Sequence, residues 1–166
     1  MELCVLQNLK PKKNLRYKPY PHLYIENALP ENIHNELLRT LPSERLDQQE
    51  GVDIHNKLRW LLSDIITEDY PVSKIWKEFI DYHTSKEFFE KVFNVFDRVS
   101  CDAPIKLPNI VLTDRGVEEN KDANAFTDFS FVKHPPINGI SNRTPHSDNI
   151  KEIYAGLLYL KYPKDK

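Results

Sequence analysis

A chain of 166 residues, 40% hydrophobic and 29% charged, has the length of one domain, enough apolar material for a core and enough charge for solubility. Its formal charge of -2 argues against a strongly basic nucleic-acid binder and against a polyanionic tail, although a total says nothing of local patches. No apolar run approaches the roughly 18 residues that span a bilayer, and two cysteines, Cys4 and Cys101, make no disulfide framework, so a reducing cytoplasmic setting with no membrane partner is expected.

The opening is not built like a signal peptide, because the apolar stretch Leu3 to Leu6 comes before the basic cluster Lys10, Lys12, Lys13. Tyr20 to Glu26 is rich in aromatic and β-branched residues and predicts a strand. Ile33, Leu37, Leu38 and Leu41 recur at helical spacing between Pro30 and Pro42, which predicts an amphipathic helix. Residues 42 to 60 are polar and aperiodic, as a loop would be. A helix follows with Pro71 in its first turn and Ile75, Trp76, Phe79 and Ile80 on one face. The next opens on Thr84-Ser85-Lys86-Glu87, a capping-box pattern, and presents Phe88, Phe89, Val92, Val95 and Phe96.

After Cys101 the texture changes. Ile105 to Leu112 predicts an edge strand interrupted by Pro108, Asp114 to Asp128 a loop, Phe129 to Val132 a short strand, and Ile153 to Lys161 a longer one. Helices first and strands last indicate α+β in one domain, with a helical scaffold over about 27–100 and a sheet-rich part over about 104–166. The helical stripes are expected to pack on a sheet that includes 153–161.

One pair of residues suits a metal. His146 and Asp148 stand two apart, and on a strand such residues point to the same side and can reach one ion. Iron(II) oxygenases hold their metal with two histidines and a carboxylate, leaving the opposite face open. On a helix the same spacing turns the two side chains about 200° apart, so His34-Asn35-Glu36, inside the first long helix, is a decoy. Spacing alone discriminates little: chance places about 0.4 such pairs in a chain of this composition, and an exposed His and Asp in a turn is the plain alternative.

The surrounding residues are more specific. Arg143-Thr144-Pro145-His146-Ser147-Asp148, followed by Ile153-Tyr154-Ala155-Gly156-Leu157-Leu158-Tyr159-Leu160, resembles the prolyl-hydroxylase-like branch of the 2-oxoglutarate and iron(II) oxygenases. Tyr20 to Pro30 resembles the opening of many such proteins, where a strand enters a long supporting helix. The resemblance implies a partial double-stranded β-helix of the jelly-roll or cupin-like kind, backed by N-terminal helices. It implies His146 and Asp148 as metal ligands and Tyr159 as a hydroxyl contact to the far carboxylate of 2-oxoglutarate. The cofactors implied are Fe(II) and 2-oxoglutarate, with ascorbate as reductant, and the activity is hydroxylation coupled to conversion of 2-oxoglutarate to succinate. The substrate is left open among protein side chains, nucleotides and small metabolites.

No His follows His146, and the family's second metal histidine, its carboxylate-binding cation and its Gly-rich stretch have no counterpart before Lys166. His134 and His22 have no spacing that marks them as a third ligand, and His55 and His83 carry no motif. The expectation is therefore the N-terminal part of an oxygenase, inactive alone, with an exposed strand edge near Tyr154 to Lys161 that favours self-association. A non-catalytic binding or structural protein on the same scaffold is the competing reading.

Overall fold

The computed structural model describes residues 3–48, 58–67, 71–97, 111–114, 122–133 and 152–160. Within them, a one-turn helix α1 (Pro11–Asn14) leads into β1 (Leu15–Arg16), which pairs antiparallel with β2 (His22–Leu23). Then come α2 (Glu31–Arg39), α3 (Ser43–Asp47), β3 (Leu58–Leu61), α4 (Leu62–Thr67), α5 (Lys74–His83) and α6 (Lys86–Asp97), followed by β4 (Leu112–Asp114), β5 (Ala125–Thr127) and β6 (Ser130–Lys133). The class is α+β, with strands interspersed among the helices rather than gathered after them.

The core forms where α2 and α5 meet the antiparallel pair β3–β6. Leu58 and Trp60 alternate with exposed Arg59 along β3, so one face turns inward. Trp60 lies opposite Phe131 in the ladder and stacks on it at 5.8 Å between centroids. Leu62 N–H continues the pairing by donating to Phe129 C=O at 2.8 Å. Trp76 of α5 meets Phe131 edge-on at 4.8 Å and donates its indole N–H to Leu37 C=O of α2 at 3.1 Å, so one side chain joins sheet, α5 and α2. A second cluster, of Cys4, Tyr82, Phe88 and Val92, lies between the N-terminal strap and the α5–α6 pair. Outward faces carry i,i+4 pairs such as Lys74–Glu78 and Lys86–Glu90.

Several expectations need correction. The strand expected over 20–26 is only His22–Leu23, because Tyr24 N–H and C=O both turn to Asn14, the first to its carbonyl at 3.0 Å and the second to its side-chain amide at 2.9 Å. The stretch 42–60, expected as loop, holds α3 and β3, whose Leu46, Leu58 and Trp60 are buried. Pro71 precedes α5, which begins after Ser73. The cap of α6 sits one residue later than the Thr84 pattern indicates: Ser85 Oγ accepts Phe88 N–H at 3.2 Å, while the Thr84 hydroxyl donates back to Ile80 C=O and closes α5. Glu87 turns to Lys91 at 2.8 Å rather than back to the cap.

The late strands differ too. Of the strand expected over 105–112, residues 105–110 lie outside the described residues, and Leu112–Asp114 pairs parallel with Ala125–Thr127, inside a stretch expected as loop. The described part of 153–161 joins no ladder among the described residues. The sheet on which the helices pack is β3–β6, because its aromatic face supplies the apolar surface their stripes need.

Candidate functional site

The residues singled out for metal chemistry fall in different places. His146, Asp148 and Arg143, with His134 and His55, lie outside the described residues. Tyr159 lies on a segment, 152–160, that is mostly exposed. Tyr154 and Leu160 turn toward the body, Tyr154 against the Phe89 ring at 6.0 Å, and Leu160 against the main core. Leu157 and Tyr159 turn away, 79% and 81% exposed. Tyr159 is thus neither a core aromatic nor enclosed by the described residues.

His34 lies on α2, half-buried, and the helix is what the decoy argument requires, while His22 at the start of β2 points Nδ1 at Tyr20 C=O at 2.8 Å. Among the described residues no three His, Cys, Asp or Glu side chains gather as a metal site would need. Among them also, no helix is long and apolar enough to cross a membrane.

His83 has no sequence motif, yet it has the most defined environment of any described histidine. It ends α5 and stacks on Phe79 at 3.9 Å, with Phe88 edge-on at 4.5 Å. Its Nδ1 lies 2.7 Å from Phe79 C=O and therefore carries the proton, which leaves Nε2 to accept Val5 N–H at 3.3 Å. Burial pushes its pKa from 6.5 down to about 4, with the Phe79 carbonyl opposing the shift, so the ring is neutral at pH 7. Beside it, burial raises the Tyr82 hydroxyl, while the hydrogen bonds that the Lys91 ammonium donates to Glu87 and Tyr82 raise its own pKa. The Val5–His83 bond and the cluster of Cys4 with Tyr82, Phe88 and Val92 fix the strap to the helices.

The second feature is a cleft of about 450 Å³ between α1, β1 and the turn after β2, lined by Lys10, Lys13 and Arg16 among others. The basic run is plain in the sequence, but the concave arrangement depends on the β1–β2 pairing and on Asn14, both of which need the fold. No family model, no curated protein and no solved structure matches the chain.

Proposed function

We propose that this chain carries the scaffold and the first metal motif of a non-haem iron, 2-oxoglutarate-dependent oxygenase, its helices backing a partial double-stranded β-helix. The observation that carries the reading is the run Arg143 to Asp148 followed by the apolar-Tyr-Leu segment that ends at Leu160. The α+β class is compatible with it.

An imidazole and a carboxylate are donor types that iron(II) sites use, so this donor set fits two of the three protein positions. His146 would give the metal a ring nitrogen and Asp148 a carboxylate oxygen, and the Tyr159 hydroxyl would donate to the distal carboxylate of 2-oxoglutarate. Bound iron and cosubstrate supply the oxidising chemistry for C–H hydroxylation.

Manganese(II), an EPR-visible stand-in for iron(II), provides the test. His146→Ala and Asp148→Ala are each expected to weaken its binding by about tenfold or more. Unchanged affinity in both variants removes the reading. With two identified ligands, succinate formation in the presence of iron(II) and ascorbate is expected to stay at the level of free iron. One observation favours a second reading, a binding or structural protein on this scaffold: the outward Leu157 and Tyr159 are apolar surface suited to contact. Self-association unaffected by metal, with no manganese bound at all, would select it.

A further inference from the structure

The cleft beside α1 has the composition of an anion site. Lys10, Lys13 and Arg16 line it against a single carboxylate, Glu26, so the lining carries a formal excess of two positive charges. None of the three cations forms an ion pair with a carboxylate among the described residues. Arg16 is oriented by the Tyr24 ring, its guanidinium carbon 5.4 Å from the centroid.

The walls are cross-linked. Asn14 is buried to 7% exposure. Its side-chain oxygen accepts Lys10 N–H at 2.7 Å and its amide donates to Tyr24 C=O at 2.9 Å. Asn8 donates to the carbonyl of Asn27 at 2.9 Å, and Asn27 itself holds a left-handed backbone with φ 51°. The cations therefore project from a fixed frame, which lowers the ordering cost of binding.

The geometry points to this cleft as a binding site for a small phosphorylated metabolite. The charge excess matches a phosphomonoester, which carries roughly -1.5 to -2 at pH 7, better than a monocarboxylate. A cleft of about 450 Å³ lies in the size range of organic ligand sites and exceeds what a bare phosphate ion fills. A nucleic-acid strand would need a longer basic track than the three cations that line this cleft.

Calorimetric titration of the full chain with ribose 5-phosphate tests the proposal, with ribose, succinate and a ten-nucleotide oligothymidylate as controls. Ribose 5-phosphate is expected to bind and ribose not to, with succinate at least several-fold weaker. Lys13→Gln and Arg16→Gln should each weaken binding about tenfold at unchanged melting temperature, whereas Glu26→Gln should tighten it several-fold. Raising salt from low to physiological strength should weaken it, as exposed charges require. Equal binding of succinate would show that charge alone is read, tight binding of the oligonucleotide without ribose 5-phosphate would show a nucleic-acid track, and no binding by any probe would show solvated surface. Each of these overturns the proposal.

Discussion

Two apolar stretches of this chain have opposite fates. Lys74–His83 buries Trp76, Phe79, Ile80 and Tyr82, whereas Ile153 to Leu160, no less apolar, leaves Ile153, Leu157, Leu158 and Tyr159 exposed. The difference is one of partners. The face of α5 has the aromatic side of β3–β6 on one flank and α2 on the other, while 152–160 touches the body only through its inward residues. Hydrophobic content alone does not decide burial; the existence of a complementary surface does.

That comparison can be broken at several strengths. Trp76→Ala should be the most damaging change, removing the edge contact to Phe131 and the hydrogen bond to Leu37 together, with a loss of about 3–5 kcal/mol in urea unfolding. If it costs no more than a surface change, the sheet–α5–α2 junction is not the core.

His83 provides a pH-dependent version. Its folded pKa of about 4 lies below the ordinary 6.5, so the unfolded chain binds the extra proton first as pH falls. Stability should therefore be complete above about pH 6.5 and decline as pH drops toward about 4. Allowing for the part of the ring that remains solvated, the loss is on the order of 2 kcal/mol. Protonated Nε2 can no longer accept Val5 N–H. The difference between the parent and His83→Gln unfolding curves across that window isolates this contribution, and parallel curves would refute it.

Ser85→Ala should cost about 1 kcal/mol by removing the cap on Phe88 N–H, with Thr84→Val costing less. The reverse order would restore the capping register that the sequence pattern indicates. At the exposed end of the comparison, Leu157→Ser and Tyr159→Ser should change stability by less than about 0.5 kcal/mol. Together they should reduce self-association measured by sedimentation velocity, since this apolar segment has no partner strand among the described residues.

What could be read in advance follows from the range of the interactions. α2, α5 and α6 repeat their apolar residues every three or four positions, so local sequence contains their faces. β3 has a buried-exposed-buried alternation over Leu58 to Trp60, but four residues are too few to stand out, and the partner Ser130–Lys133 lies some seventy positions away. The strand expected at 20–26 has the right residue types, yet Asn14 captures the hydrogen-bonding groups of Tyr24 first. The metal pair His146 and Asp148 is legible only as spacing and resemblance. Lys10, Lys13 and Arg16 are legible as charge, but their shared cleft depends on a turn, a two-residue ladder and one buried amide. His83 gave no local signal at all, because its second partner is Val5.

The bond from Val5 to His83 also has a consequence in time. Val5 is synthesised 78 residues ahead of the ring that receives its amide. Leu3 and Cys4 likewise pack into clusters built from later helices. During translation the partners that Val5 and Cys4 pack against are therefore missing until α5 and α6 have emerged and met. Pulse-labelling by hydrogen exchange on stalled chains would show the amide of Val5 closing only after residues 79–92 have left the ribosome.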